Sequence, residues 1–398
     1  MKKALKNLAA MIQQADPGAA FAFEFWDGEK LTVGNQPSVT LKFKTEESAQ
    51  DLIYRKWLAF GERYTAGEIE VEGDLRELLR LGLAVSYDGI PSTPRQRLEL
   101  LRQYVKARNT QRQAPRNITY HYDKGDRLYS LYLDETMAYS CAYFKNGCDS
   151  LAQAQLDKYE HTCRKLLLKP GEKLIDIGCG WGGMLIYAAQ NYGVKGIGCT
   201  ISRNQHEFAN NRIKELGLQD KIEVVYEDYR NVSGKFDKFV SIGMFEHVGK
   251  EFIPTYIKKV GQILAKGGLG LLHTIGKDAD SPGDPWIMKY IFPGGYIPSL
   301  ALVIEHLGAI GFSILDVENL RLHYARTLEL WAENYEKNVD KVREMFDEDF
   351  ARMWRLYLNA CAVGFRHGET RLYQILFSNG INNRLPITRE HCYGPTCH

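Results

Sequence analysis

The ten residues Leu174–Gly183, LIDIGCGWGG, constrain this chain more than any other stretch. An apolar run delivers Asp176, and Gly178, Gly180 and Gly182 then recur at every second position ahead of a second apolar run of helical length. Glycine lets the backbone bend sharply and approach a ligand closely, and the N-terminus of the helix behind it favours electron-rich groups. A strand, a tight turn and a helix are therefore expected here. Between residues 172 and 275 the apolar runs KLIDIG, VKGIGCT, IEVVYED, KFVSIGMF and GLGLLHTIG alternate with helix-compatible segments. Helices are expected between the first four, with PTYIKKVGQIL covering the fifth crossover. This alternation predicts an α/β fold with a doubly wound, Rossmann-like sheet. A further strand is expected at GFSILDVENL, with amphipathic helices around 324–338 and 346–364. Residues 118–165 read as helical and rich in aromatic side chains.

The spacing at the turn also bears on the ligand. Asp176-x-Gly178-x-Gly180-x-Gly182 departs from the dinucleotide fingerprint G-x-G-x-x-G. A nicotinamide cofactor calls for a carboxylate about twenty residues on, at the end of the second strand. That position reads Cys199-Thr200-Ile201-Ser202, with Gln205 one turn later, and no Walker lysine follows the turn. After the third strand, Asp228 and Tyr229 are placed to meet an adenine by hydrogen bonding and stacking. These features favour S-adenosylmethionine, the methyl donor. Glu246 and His247 close the fourth strand and His273 and Ile275 the fifth, so their side chains are expected at the ligand crevice.

Around this centre the chain divides into four expected parts. Residues 1–92 carry the alternating runs AFAFEF, KLTVG, SVTLKFK and EIEVEG with helical stretches between, a small α+β domain without a catalytic motif. Residues 93–117 form a basic connecting helix in which Arg95, Arg102 and Lys106 line one face beside an apolar stripe of Leu98, Leu101 and Val105. That face suits either solvent or anionic lipid headgroups. Residues 118–385 make the catalytic domain and 386–398 a tail. The tail brings His391, Cys392, Cys397 and His398 close in sequence, but their spacing matches no structural zinc pattern, and no metal is assigned.

The 398 residues balance 51 Lys and Arg against 49 Asp and Glu, so overall charge gives no argument for nucleic acid. No apolar run reaches the roughly 18 residues of a membrane span, and Lys6 interrupts any signal-like core. Eight scattered cysteines then read as reduced thiols of a cytoplasmic protein.

Eight segments, MAYSCAYF, LIDIGCGWGG, CTISRNQ, SIGMFEHVG, LLHTIG, DPWIMKYIFPGGYIPS, HYARTLELW and LNACAVGFR, occur in an order that resembles the cyclopropane-fatty-acyl-phospholipid synthase family, densely over about 118–380. AFGERYTAGEIEVEGDLRELLRL is similar to the N-terminal region of its full-length bacterial members. The resemblance implies transfer of a methyl group from S-adenosylmethionine to a cis double bond of a phospholipid acyl chain, then proton loss and ring closure. It implies a bound bicarbonate as base, held through backbone groups of Cys141 and Ile275 and side chains of Glu246, His273 and Tyr324. Implied cofactor contacts are Tyr139, Ser140, the Leu174–Gly182 turn including Asp176, Cys179 and Trp181, then Thr200, Ile201, Ser202, Gln205, Tyr229 and Arg230. Cys361 matches a cysteine often taken as active. Because an alkene attacking a sulfonium needs no thiol, Cys361 is expected to be structural or to line a substrate channel. Tyr139, Tyr143, Phe144, Tyr290 and Phe292 are expected to exclude water and face positive charge. The resemblance also suggests a homodimer working peripherally at the inner membrane face. Alkaloid N-methyltransferases share this kind of catalytic domain, so a soluble amine substrate, or methyl branching without ring closure, are the competing readings.

Overall fold

The computed structural model describes residues 1–84, 109–111, 113, 114, 116, 125–147 and 150–393. Arg95, Arg102 and Lys106, like Cys397 and His398, lie outside the described residues. The chain forms two compact units that interleave along the sequence. The first takes 1–103, 284–291 and 328–368; the second takes 104–283, 292–327 and 369–398. The compact units thus do not follow the expected contiguous boundaries at 92 and 118.

In the first unit, four short strands form one sheet: β1 (Phe21–Glu24), β2 (Lys30–Val33), β3 (Val39–Phe43) and β4 (Ile69–Gly73), in the order β2-β1-β3-β4. The β1–β2 hairpin is antiparallel, whereas β1 and β3 run parallel. Alternation in β3 buries Val39, Leu41 and Phe43 on one face. Helix Glu46–Thr65 begins where the Thr45 hydroxyl accepts from Ser48 N–H, which satisfies one of the helix's unpaired donors. Gly61 on this helix lies against Trp286, and any β-carbon there would overlap the indole. The Arg352 guanidinium donates to the carbonyls of Tyr64 and Ile69 at 2.6 and 2.9 Å, fastening helix Glu348–His367 to the N-terminal segment.

The second unit is built on seven strands: β5 (Lys173–Ile177), β6 (Lys195–Thr200), β7 (Ile222–Tyr226), β8 (Phe236–Ile242), β9 (Leu264–Lys277), β10 (Phe312–Asn319) and β11 (Thr370–Asn379). Their order is β10-β11-β9-β8-β5-β6-β7. The strands from β9 through β7 run parallel, and β11 is antiparallel to both of its neighbours. Chain order reverses between β5 and β8, so the ligand crevice falls at their carboxyl ends. Fully buried Ile175, Ile177, Leu264 and Ile375 belong to one core layer, and Leu174, Leu185, Val240 and Leu271 to the opposite one. The fold is thus α/β and doubly wound, as the alternation predicts.

Three local expectations fail. Residues 131–147 form turns and irregular backbone rather than helix, because the Asp134 carboxylate accepts from Thr136 and Ala138 N–H and folds the segment on itself. No helix joins β7 to β8; there the Asp228 carboxylate accepts from Arg230 N–H and Gly234 adopts a positive φ of 102°. The strand β11 was not expected at all, although it fills the gap between β9 and β10.

Candidate active site

The glycine turn at the end of β5 opens a pocket lined on one side by residues 176–181 and on the other by Gly243, Met244 and His247 after β8. Gly178 carries φ +78°, and a β-carbon on it would overlap the side chain of Met244. Glycine is therefore required for two reasons at once, the left-handed backbone and the close approach. Gly182 has φ +82° and caps helix Gly183–Tyr192. Trp181 is pinned across the turn by its indole N–H, which donates to Asp126 Oδ1 at 2.8 Å.

Most of the expected cofactor residues converge here. Tyr139, Ser140, Asp176, Gly178, Cys179, Gly180, Trp181, Thr200, Ile201, Gln205, Asp228, Tyr229 and Arg230 all line the pocket. Leu174 does not: it lies fully buried in the core of β5, ahead of the bend. Gly182 and Ser202 are also absent from the lining; the Ser202 hydroxyl instead caps helix Arg203–Glu215 by accepting from Gln205 N–H. Asp228 is engaged by Arg230, whose guanidinium donates to it at 3.0 Å and to the Asn109 carbonyl at 2.8 Å. Glu227 lines the pocket as well, a carboxylate that sequence reasoning missed one residue before Asp228.

The sequence also hid a buried cation. Lys158 lines the pocket with its side chain fully enclosed, and its ammonium donates to the Ser140 hydroxyl at 2.9 Å. Burial lowers its pKa to about 8, while nearby Asp134 and Asp176 act in the opposite sense. Asp176 is raised to about 7 by burial, partly offset by Lys158. On the same helix, Gln155 donates to the carbonyls of Ala138 and Ser140. Helix Leu151–Lys165 therefore holds the irregular 138–140 segment against the pocket.

Glu246 sits between the lining residues Met244 and His247, in a short 3-10 turn after β8. Its Oε1 accepts from Ile275 N–H of β9 at 2.6 Å, and its Oε2 is buried with no hydrogen-bond partner. Burial raises its pKa to about 7. His273, two residues earlier on β9, is fully buried and held neutral, with a pKa well below the usual imidazole value because of burial and the fields of Lys158 and Lys165. Its Nε2 also lacks a partner. His273 lies across from Ile242 of β8, itself a pocket-lining residue, so both unsatisfied atoms belong to residues adjoining the lining.

The structure modifies the expected set around them. The Ile275 N–H, expected to reach a bound anion, is already taken by Glu246, so this backbone group orients the carboxyl instead. Cys141 is fully buried in the irregular 138–144 segment, its thiol donating to the Ala142 carbonyl at 3.1 Å. Burial raises that thiol far above the ordinary range. Tyr324 stands half-buried in the first turn of helix Arg321–Lys337. The loop carrying Cys141 is tied to the same helix, since Ala142 N–H donates to Thr327 Oγ1 and Phe144 N–H to His323 Nδ1. Tyr143 is sandwiched between His161 and His323, with ring centroids 4.2 and 4.8 Å away, a packing role rather than a solvent shield. Phe292 meets the ring of His247 edge-on at 5.6 Å. Tyr290 belongs to the first unit, where its hydroxyl donates to Glu62.

Cys361 is also in the first unit, half-buried on helix Glu348–His367. Burial raises its thiol to about 12, so it is protonated at neutral pH and a poor nucleophile. Replacing Cys361 with Ser is expected to leave turnover within about threefold of the wild type; a loss of a hundredfold or more would make it part of the chemistry.

Residues 109–375 match the family model described as mycolic acid cyclopropane synthetase. The cyclopropane-fatty-acyl-phospholipid synthase of Escherichia coli K12 is 43% identical over 270 residues, 68% of this chain and 69% of that protein. The chain belongs to the cyclopropane synthase family. A probable fatty acid methyltransferase of Pseudomonas putida is 38% identical over 93% of this chain and 95% of its own length. Among solved structures, the cyclopropane synthase MmaA2 from Mycobacterium tuberculosis superposes with a TM-score of 0.64 at 32% identity, over 66% of this chain and 98% of that one. A mycolic acid cyclopropane synthase complexed with SAH and CTAB gives 0.63 at 33% identity, over 66% and 98%. Residues 8–86 match a separate model described only as a domain of unknown function. As a family member the chain is a methyltransferase using S-adenosylmethionine.

Proposed function

We propose that this enzyme methylates a cis double bond in phospholipid acyl chains and closes the product to a cyclopropane, with a bicarbonate ion as the resident base. The observation that carries the reading is the two buried, partnerless atoms Glu246 Oε2 and His273 Nε2, on residues that adjoin the lining residues Met244, His247 and Ile242. A small oxyanion that also bears an O–H complements such a pair. His273 offers a neutral donor, and Glu246 accepts the O–H while Ile275 holds its other oxygen in place. Tyr324 and the backbone of Cys141 complete the proposed cradle. The cofactor supplies an electrophilic methyl group when bound, and ring closure requires one proton to leave that methyl. The bound ion supplies a weak base, which suffices where geometry is fixed, because positioning replaces basicity.

The chain's own part is to orient and to exclude. Ser140, backed by Lys158, and the turn at 178–181 position the cofactor's methionine end. Thr200 and Gln205, already hydrogen-bonded to each other at 2.8 Å, face its ribose. Phe144 and Tyr139 help keep water from a cationic centre that would otherwise be trapped as an alcohol. Among the described residues no helix is long and apolar enough to cross a membrane. Peripheral binding through Arg95, Arg102 and Lys106, and a homodimer at the membrane face, complete the proposal. Vesicle binding is expected to weaken as salt rises and when these three are neutralised; salt-independent binding would remove that role.

The deciding experiment incubates the protein with S-adenosylmethionine and vesicles of monounsaturated phosphatidylethanolamine, then examines the acyl chains by mass spectrometry and proton NMR. The expected product gains one CH2 and shows ring protons instead of olefinic ones. A branched or methylene-bearing chain would overturn ring closure. Methylation of an added soluble amine, with the lipid untouched, would overturn the lipid reading altogether.

A further inference from the structure

The middle of the second sheet contains a polar pair that the catalytic set leaves unexplained. Gln374 of β11 lies directly across from His273 of β9 in the antiparallel ladder, and both side chains are essentially inaccessible to solvent. Gln374 Nε2 stands 3.2 Å from His273 Nδ1, while Gln374 Oε1 is buried with no partner. With the amide nitrogen toward the ring, Gln374 donates and His273 Nδ1 accepts, which puts the imidazole proton on Nε2. That is the atom left partnerless.

On its own strand Gln374 shares a face with buried Leu372 and Leu376, and directly across from it on β10 stands Glu318, which His161 and Lys165 hold. An apolar residue at position 374 would leave no amide oxygen unsatisfied, a cost of about 1–3 kcal/mol. A glutamine kept there at such a cost points to what its other end does. In the opposite tautomer, His273 would present a lone pair from Nε2 and repel an anion. In the tautomer that Gln374 enforces, it presents an N–H.

We infer that Gln374 is a positioning residue that locks His273 in its neutral Nε2–H tautomer, so that the site receives an oxyanion through a hydrogen-bond donor. The lock itself stands on the ladder geometry. Its purpose rests on the bicarbonate reading above, and the two are separated by experiment.

The test uses the full-length protein labelled with 15N-histidine, with His273 assigned by loss of its signal in His273→Asn. Long-range proton–nitrogen correlation spectra of the wild type, without added ligand, report which ring nitrogen carries the proton. The expected pattern is the Nε2–H tautomer for the wild type. In Gln374→Glu, recorded at a pH where the new carboxyl is ionised, the carboxylate can only accept from Nδ1, and the proton is expected on Nδ1. Gln374→Leu is expected to show a mixture, and melting curves of both variants verify that they remain folded. An Nδ1–H tautomer in the wild type, or an unchanged tautomer in folded Gln374→Glu, overturns the lock. Titration with 13C-bicarbonate then gives the second arm, with binding expected to weaken by about tenfold or more in Gln374→Glu. Wild-type protein that shows the Nε2–H tautomer but binds no bicarbonate supports the lock and overturns the anion assigned to it. Equal bicarbonate affinity in wild type and a tautomer-inverted variant overturns the purpose assigned to Gln374.

Discussion

Replacing Glu246 with Gln is expected to lower turnover by about a hundredfold or more while raising the stability of the ligand-free protein above neutral pH. Both effects come from one buried carboxyl. Glutamine keeps an acceptor for the Ile275 N–H, so the turn after β8 should persist. What is lost is the second oxygen, which in the wild type has no partner and is free to engage a ligand. Cofactor affinity, read by calorimetry with S-adenosylhomocysteine, is expected to stay within about threefold, since the glycine turn is untouched. Unchanged turnover would remove Glu246 from the chemistry.

The stability effect has a definite sign. Burial holds the Glu246 carboxyl at about 7, above its ordinary 4.5, so the folded protein binds its proton more tightly than the unfolded chain does. Its favourable contribution is complete below pH 4.5 and is lost as pH rises through 7. The neutral glutamine avoids that loss, so the variant should gain up to about 3 kcal/mol over wild type at pH 8 and little at pH 4. Denaturation profiles at the two pH values measure the difference. An equal gain at both would mean that the carboxyl is not the cause.

Gly178→Ala is expected to impair cofactor binding more than any other single methyl group added to the second unit. The left-handed backbone at this position costs an alanine about 1–2 kcal/mol. Overlap with Met244 adds about 1–3 kcal/mol of overpacking and displaces a residue that itself lines the pocket. Affinity for S-adenosylhomocysteine should fall by about tenfold or more, alongside a stability loss of about 2–5 kcal/mol. Adding Met244→Gly should recover the steric part but not the backbone part. Affinity within twofold of wild type in the single variant would show that the turn has slack that its geometry does not suggest.

The parallel core of the sheet was legible because its strands are short apolar runs punctuated by glycine and separated by amphipathic helices. The turn itself was legible down to Asp176 and Gly178. Strand β11 was not. TRLYQILFSN is an apolar run interrupted by Gln374 that follows directly on helix Glu348–His367, and a buried run of this length carries no period that separates strand from helix. Helix Leu151–Lys165 was legible as a helix, but not for what it buries. Its sequence is polar, yet Gln155, Lys158, His161, Thr162 and Lys165 are all buried. Lys165 and His161 share Glu318, 153 and 157 residues on, while Gln155 and Lys158 bond to the 138–140 segment. Sequence periodicity reports hydrophobic faces and is blind to a face made of matched charges. The interleaving of the two units was hidden for a related reason: segments 284–291 and 328–368 return to the first unit after the chain has built most of the second.

The position of β11 gives the molecule an order of assembly. β9, which carries His273 and Ile275, is separated from its partner β11 by about a hundred residues, the distance from His273 to Gln374 along the chain being 101. Until β11 has been made, β9 lacks its antiparallel partner and His273 lacks Gln374. A growing polypeptide therefore carries the glycine turn and every parallel strand before β11 can pair. Entering between two strands made earlier, β11 is the piece that joins β10 to the rest of the sheet.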